Sequence, residues 1–280
     1  MKLKISYRAE YSYAEPVSLA PHAVRLFPRD MLHARVESFA FATNEAADIH
    51  WRRDLFDNLV ARCFYPRPEK KMLFTFEAAV VTEARDPFAF LLESRALQLP
   101  VVYDERERGL LTAYSGGDTT ALPAGLVPRE GMDTVQALVA MNQWIHENIA
   151  YERREEGEAH APAVTLERGR GACRDTAVLF SAALRARGLA ARLASGYLWE
   201  SASDPAERKA ESALHAWTEV YLPGAGWVAL DPSNGVWVDH HYLTAAVGVA
   251  PQDIAPVSGL YFSDESVDGD LTATLRIERV

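Results

Sequence analysis

Three residues far apart in the 280-residue chain carry side chains that together can activate a nucleophile, namely Cys173, His215 and Asp231. Cys173 stands in the order Arg-Gly-Ala-Cys-Arg-Asp, ahead of a helical apolar stripe, so its sulfur is expected in the first turn of a helix. Unpaired backbone N–H groups and the macrodipole at a helix start favour a thiolate, the reactive form of cysteine. The other cysteine, Cys63, lies among apolar neighbours and is predicted to be a buried core residue.

A thiolate nucleophile also needs a base and a group that orients the base. His215 opens the strand-like segment His-Ala-Trp-Thr-Glu-Val-Tyr, and Asp231 closes Trp-Val-Ala-Leu-Asp, with the turn-forming residues 223–226 between them. This order predicts a β-hairpin. If Tyr221 pairs with Trp227, the numbers of paired residues have an even sum, and His215 and Asp231 lie on one face within side-chain reach. A register in which that sum is odd would put the two side chains on opposite faces. We predict the even-sum register or a compensating bulge.

The N-terminal segment has the alternation of half-buried strands. From residue 1 to residue 13 every odd position is apolar and every even position is polar, and the even positions of 72–80 are apolar in the same way. Residues 49–56 and 59–65 flank Asp57-Asn58, a turn-forming pair, which predicts a hairpin. No helical period precedes about residue 85. Residues 1–85 are therefore predicted to form an antiparallel, sandwich-like β domain.

The remainder of the chain reads as a connector followed by a second domain. Residues 86–131 contain several prolines and glycines, and are predicted to be a surface connector with one short helix near 88–94. Residues 132–280 are predicted to form an α+β domain. Its predicted elements are a helix capped by Asp133, a helix from Cys173 to before Gly188, and strands at 189–199, 214–222, 227–231 and 270–280.

The second domain resembles the transglutaminase-like superfamily of papain-type thiol enzymes. The motifs that carry this resemblance are Gly-Ala-Cys-Arg-Asp at 171–175, Ser-Gly-Tyr-Leu at 195–198, His-Ala-Trp-Thr-Glu-Val-Tyr at 215–221 and Gly-Trp-Val-Ala-Leu-Asp-Pro-Ser-Asn-Gly at 226–235. The N-terminal half resembles the β domain that precedes this core in bacterial members, through Arg-Leu-Phe-Pro at 25–28 and Asp57-Asn58. The resemblance implies a papain/transglutaminase-like core preceded by an all-β domain.

By this resemblance Cys173 is the nucleophile, His215 the general base and acid, and Asp231 the orienting carboxylate. The implied reaction attacks an amide or peptide carbonyl through a thioester acyl-enzyme, and the implied partner is a protein or peptide substrate. The reaction class stays open between a cysteine peptidase or amidohydrolase, a protein-glutamine transglutaminase that transfers the acyl group to amines, and a non-catalytic peptide-binding scaffold.

Composition argues against two classes of binding partner. The formal net charge of −10 argues against binding to nucleic acid or to an anionic membrane. No apolar run has the length of a signal peptide or a membrane span, so a cytoplasmic protein is expected. No cofactor and no required metal are predicted. Asp239, His240 and His241 are adjacent, and on a strand the two imidazoles would point to opposite faces.

Three further side chains have two interpretations each. Trp217 and Trp227 could wall a substrate groove, although aromatic residues on strands are more often core. Asp175, two positions after the candidate nucleophile, could point at the reacting groups, but it more often satisfies N–H groups in the first helical turn. The polar segment 200–212 is expected to be an exposed loop.

Overall fold

The structure is a computed structural model that describes residues 1–117, 122–154, 157–199, 214–263 and 267–280. Its helices are α1 (Glu105–Leu110), α2 (Thr134–Asn148), α3 (Pro162–Arg168) and α4 (Cys173–Ala186). The strands are β1 (Lys2–Leu19), β2 (His22–Val24), β3 (Ala34–Ala42), β4 (Asp48–Arg53), β5 (Leu59–Phe64), β6 (Glu69–Thr82), β7 (Ala150–Tyr151), β8 (Arg170–Gly171), β9 (Ala191–Leu198), β10 (Leu214–Leu222), β11 (Gly226–Asp231), β12 (Val236–Trp237), β13 (Tyr242–Gly248), β14 (Val257–Ser258), β15 (Tyr261–Phe262) and β16 (Gly269–Arg279). None of the helices within these residues combines the length and apolarity needed to cross a bilayer.

The N-terminal domain is built from two antiparallel sheets. One has the order β15-β1-β6-β3, with β16 also paired to β1, and the other has the order β14-β2-β5-β4. The alternation along β1 and β6 buries their apolar positions, and both sheets contribute to one core that includes Ile5, Phe74, Val24 and Cys63. The predicted sandwich-like β domain is confirmed, because buried residues of both sheets pack into this shared core.

The predicted hairpin around Asp57-Asn58 is also confirmed. Strands β4 and β5 pair from Asp48↔Phe64 to Arg53↔Leu59, and residues 54–58 form the loop. Asp57 adopts a positive φ of 61°, a conformation that aspartate and asparagine tolerate better than most residues. The side chain of Asp54 accepts hydrogen bonds from the backbone N–H groups of Phe56 and Asn58, so this hairpin loop is internally braced.

The boundary predicted for the second domain, 132–280, is wrong at its C-terminal end. Strand β16 was predicted correctly as a strand, but it pairs with β1 of the N-terminal domain from Leu3↔Arg279 to Tyr13↔Gly269. Strands β14 and β15 join the same N-terminal sheets. The physical reason is that alternation specifies which face of a strand is buried but not which strand lies beside it.

The prediction for residues 86–131 needs two corrections. No helix forms at 88–94; a 3-10 turn lies at Ser94–Ala96 instead, and helix α1 begins after Asp104, whose side chain accepts from the backbone N–H of Glu107. The segment is also more than a surface connector. Ala96 and Leu126 are fully buried in the core that α2 and α4 share. Short apolar stretches between prolines can be core without being regular, which periodicity does not reveal.

The second domain contains an antiparallel sheet with the order β12-β11-β10-β9-β13. Helix α4 packs on β10, where the Thr218 hydroxyl donates to the Ala177 carbonyl at 2.9 Å. The N-terminal domain lies against β9 and β13, where the Tyr197 hydroxyl donates to the Leu26 carbonyl at 2.6 Å. The α+β class is confirmed, whereas α3 and β13 were not predicted from the sequence pattern.

Candidate active site

Cys173 is the first residue of α4, as the sequence predicts, and Asp175 holds this helix start in place. The Asp175 carboxylate is completely buried and accepts from the backbone N–H groups of Ala172 and His160 at 2.8 and 2.7 Å. It also binds Arg154 through both oxygens, at 2.6 and 2.8 Å. These contacts confirm that Asp175 satisfies N–H groups at the helix start, so it fixes the backbone that carries the thiol.

The hairpin that carries His215 and Asp231 has the predicted even-sum register. Tyr221 pairs with Trp227 and Thr218 pairs with Leu230. This register places Asp231 diagonally across from His215 on the same face, and the His215 Nε2 atom lies 2.7 Å from Asp231 Oδ2. The prediction that these two side chains meet is confirmed, because parity in the register decides which residues share a face.

The sulfur of Cys173 faces the other side of the same imidazole. The Cys173 and His215 side chains are hydrogen-bonded to each other. Since Nε2 is directed at Asp231, Nδ1 is the ring nitrogen left for the thiol. The Thr218–Ala177 hydrogen bond stabilises this arrangement, because it joins β10 to α4 three residues after His215 and one helical turn after Cys173.

Electrostatics favour a thiolate–imidazolium pair. Burial by itself raises the pKa of Cys173, but the positive charge of His215, its hydrogen bond and the Ala216 backbone N–H lower that pKa overall. Burial likewise disfavours a charged His215, yet the charges of Asp231 and Cys173 raise its pKa well above the ordinary value. The pKa of Asp231 lies far below the usual carboxyl range, since the interactions with His215 outweigh the effect of burial. Each charged form therefore stabilises the next.

Asp231 is surrounded by donors that the sequence analysis did not identify. Its Oδ1 accepts from the hydroxyl and backbone N–H of Ser233, and its Oδ2 accepts from Asn234 Nδ2 at 2.7 Å and from the Tyr242 hydroxyl at 2.8 Å. The order Asp-Pro-Ser-Asn is a turn signal that points to Ser233 and Asn234. No local signal points to Tyr242, which belongs to a different strand.

Neither tryptophan is placed as an exposed groove wall. Trp217 is completely buried, and its ring lies 6.4 Å from that of His215 and 5.4 Å from that of Tyr242, so it supports the imidazole from within the core. Trp227 is half-buried beneath the guanidinium of Arg192, whose central carbon is 4.2 Å from the ring centre. The core interpretation of Trp217 is therefore confirmed.

The adjacent residues Asp239, His240 and His241 lie in a turn that precedes β13, and not on a strand. In this turn each residue has one potential metal-ligand atom within 4.8 Å of those of the other two. The argument that the two imidazoles point to opposite faces is therefore wrong. His241 Nδ1 lies 2.9 Å from Asp239 Oδ1. The absence of a required metal stays a prediction. The segment 200–212, expected as an exposed loop, lies outside the described residues.

Comparison with known proteins identifies two family matches. Residues 121–232 match the transglutaminase-like superfamily, and residues 3–81 match the bacterial transglutaminase-like N-terminal region. An uncharacterized protein of Mycobacterium leprae is 25% identical over 275 residues, which is 98% of each chain. An uncharacterized protein of Mycobacterium tuberculosis is 26% identical over 287 residues, covering 94% of this chain and 88% of that protein.

One solved structure is similar over the whole chain. It is that of a candidate cysteine protease from Cytophaga hutchinsonii, with a TM-score of 0.71 and 17% identity, covering 100% of this chain and 91% of that one. At this level of identity the similarity shows a shared fold. The fold includes both domains, so the association of the β domain with the core is not particular to this chain.

Proposed function

Since the chain belongs to the transglutaminase-like superfamily, we propose that it is a cysteine peptidase or amidohydrolase that cleaves amide bonds in proteins or peptides. Cys173 is the nucleophile, His215 the general base and acid, and Asp231 the orienting carboxylate. The observation that carries the proposal is the hydrogen-bonded series from the thiol through the imidazole to the carboxylate, in which His215 Nε2 lies 2.7 Å from Asp231 Oδ2. A cytoplasmic location and the lack of nucleic-acid and membrane partners stay predictions from composition.

In the first half-reaction the Cys173 thiolate adds to the substrate carbonyl carbon, and the carbonyl oxygen becomes an oxyanion. When the C–N bond breaks, the imidazolium of His215 gives its Nδ1 proton to the departing amine, and a thioester remains on the sulfur. In the second half-reaction neutral His215 takes a proton from water, and the resulting hydroxide adds to the thioester. The C–S bond then breaks, which releases the acid and restores the thiolate–imidazolium pair.

Two local features serve these steps. The backbone N–H of Cys173 stands at the first position of α4, where helix geometry provides no acceptor, so it is the proposed donor to the oxyanion. Asp231 holds the imidazole with Nε2–H directed at its carboxylate, so that Nδ1 faces the sulfur and the leaving amine. Removal of one oxyanion donor typically costs about 100- to 1000-fold in rate.

The second candidate is acyl transfer to an amine, as in a protein-glutamine transglutaminase. The superfamily match favours keeping it, because the same thioester can be attacked by a primary amine instead of water. A glutamine-containing protein supplied with a labelled primary amine separates the two. Release of ammonia or peptide without incorporation supports the hydrolase, and incorporation of the amine supports the transferase.

The proposal is tested by alkylation and turnover of the full chain. Iodoacetamide at mildly acidic pH is expected to label Cys173 once per molecule, and Cys173→Ala is expected to abolish turnover of a peptide library while the fold persists. Cys63→Ala is the matched control, because this cysteine is completely buried away from the site. A Cys173 that resists alkylation in folded protein would favour the non-catalytic peptide-binding scaffold and overturn the proposal.

A further inference from the structure

Strand β13 pairs with β9 along one edge, and the N-terminal domain binds its other edge. Three residues of that domain hydrogen-bond to the backbone of β13 or of the turn before it. The Thr82 hydroxyl donates to the His240 carbonyl at 3.1 Å, and the Arg29 backbone N–H donates to the Thr244 carbonyl at 2.8 Å. The Asn58 carboxamide accepts from the Val247 N–H at 2.9 Å and donates to the Val247 carbonyl at 2.8 Å. The contacts follow the strand from one end to the other.

Asn58 makes two of these hydrogen bonds, both to Val247. Its side-chain carboxamide presents one donor and one acceptor to Val247, as a neighbouring strand would, and the residue is completely buried. Arg29 Nη1 donates to the same Asn58 oxygen at 2.9 Å, and Asp54 accepts from the Asn58 backbone N–H. Buried backbone groups at a sheet edge require partners, so these contacts fix the position of β13 relative to the N-terminal domain.

The strand held in this way begins with Tyr242, whose hydroxyl donates to Asp231 Oδ2 at 2.8 Å. The same oxygen faces His215 Nε2 and accepts from Asn234 Nδ2, so three hydrogen-bonding groups converge on it and leave the carboxylate little freedom to rotate. Phe56, from the loop that carries Asn58, packs against the cluster formed by Ala194, Trp217, Tyr242 and Val247. Contacts therefore extend without a gap from the N-terminal domain to the orienting carboxylate.

We propose that the N-terminal domain is a positioning part of the catalytic site: it binds the free edge of β13 and thereby places the Tyr242 hydroxyl against Asp231. The inference rests on the proposed function for its catalytic readout. In this arrangement Tyr242 and Asn58 are positioning residues, because they act on the imidazole through Asp231. A domain that served only for folding would not need to determine the geometry of the carboxylate.

The test uses full-length variants and two readouts, kcat/KM on a peptide substrate and the pH dependence of Cys173 alkylation. Tyr242→Phe is expected to lower kcat/KM about tenfold, because the carboxylate loses one of its orienting donors. It should also move the alkaline limb of the alkylation profile to higher pH, since a carboxylate with one donor fewer attracts the imidazolium more strongly. Asn58→Ala is expected to change both readouts in the same direction and by less.

The decisive measurement is the double variant. If Asn58 acts through Tyr242, then Asn58→Ala combined with Tyr242→Phe has the same kcat/KM as Tyr242→Phe alone. Multiplying losses would overturn the proposal, and so would an Asn58→Ala variant with unchanged kcat/KM and alkylation profile. Leu55→Ala is the matched control, because Leu55 lies in the same loop with its side chain 98% exposed; it should leave both readouts unchanged.

A second variant covers the case in which Asn58→Ala does not fold. Thr82→Val removes the hydroxyl that donates to the His240 carbonyl but keeps nearly the same side-chain shape, so the fold tolerates it better. It is expected to shift the alkylation profile in the same direction as Tyr242→Phe, and no shift would contradict the inference. Alkylation requires no substrate, so this readout separates failure of the positioning inference from failure of the proposed peptidase activity.

Discussion

The two cysteines lie in regions that shift the pKa of a thiol in opposite directions. Cys63 is completely buried on β5 in the core of the β sandwich, and burial raises the pKa of its thiol to about 11. Cys173 is half-buried, yet its pKa is lowered, because His215 and the Ala216 backbone N–H outweigh the effect of burial. A hydrogen bond with the Tyr65 hydroxyl lowers the pKa of Cys63, but its effect is smaller than that of burial.

The comparison shows that burial does not decide the reactivity of a thiol. Burial disfavours the thiolate in both regions, and the difference is a charged partner that the hairpin β10–β11 brings to one of them. The partner is available only because two distant segments, α4 and the hairpin, are fixed to each other. Variants that remove His215, weaken its interaction with Asp231 or disturb the start of α4 should therefore make the Cys173 thiol less reactive, as the Cys63 thiol is expected to be.

The largest expected effect is that of His215→Ala. Without the imidazolium, burial again dominates and the pKa of Cys173 rises toward that of Cys63. Because each unit of pKa changes the thiolate fraction about tenfold, alkylation of Cys173 at pH 6 should slow by roughly 100-fold or more. The measurement is the second-order labelling rate by intact mass, with circular dichroism to verify the fold. An unchanged labelling rate would show that the reactivity of Cys173 does not depend on His215.

A smaller loss is expected from Asp231→Asn. The variant keeps the shape but removes the negative charge that raises the pKa of His215, so the imidazolium is lost at lower pH and the alkaline limb of activity moves downward. Its kcat/KM should fall about 100-fold, within the usual contribution of general acid–base catalysis. A pH–rate profile checks both effects. An alkaline limb that stays in place would show that another group sets it.

The helix start should make the Cys173 region acid-sensitive in a way that the Cys63 region is not. Burial by itself raises the pKa of Asp175, but the N–H groups of His160 and Ala172 together with Arg154 lower it overall. A depressed carboxyl pKa contributes stability that is present above about pH 4 and is lost as pH falls through the folded-state value. Urea unfolding between pH 5 and pH 2 should therefore show a shallower decline for Asp175→Asn than for the wild type.

The control for the acid series is Asp48→Asn, since Asp48 is exposed at the start of β4. Its unfolding free energy should follow that of the wild type at every pH. If Asp175→Asn declines as steeply as the wild type, the carboxylate does not contribute through its charge, and the bracing of the helix start would have to come from shape alone.

The smallest effect on activity is expected from Cys63→Ala. The side chain lies in apolar packing remote from His215, so kcat/KM should stay within twofold of the wild type. Removal of the buried sulfur should cost about 1 kcal/mol in the free energy of unfolding, because a small cavity is left in the sandwich core. Thermal and urea denaturation measure that cost. A large loss of activity would mean that the sandwich core is coupled to the site more tightly than its packing indicates.

Much of the candidate site was accessible from the sequence because its signals are local. The small residues before Cys173 and the apolar stripe after it predict the start of α4. Gly188 predicts the end of this helix, and in the structure it has the positive φ, 77°, that glycine adopts easily. Parity along the two strands predicts that His215 and Asp231 share a face. Periods of 2 and 3.6 and helix caps depend on residues a few positions apart, which a linear sequence displays directly.

Tertiary structure alone decided the rest. The sequence determined that residues 270–280 form a strand and that residues 57–58 lie in a turn, but not that the former completes the N-terminal sheet or that the latter binds β13. It likewise gave no sign that Tyr242 would meet Asp231. Alternation and turn chemistry specify the conformation and buried face of each segment. The partner of each face depends on how the whole chain packs, and contacts across 189 positions leave no periodic trace in the sequence.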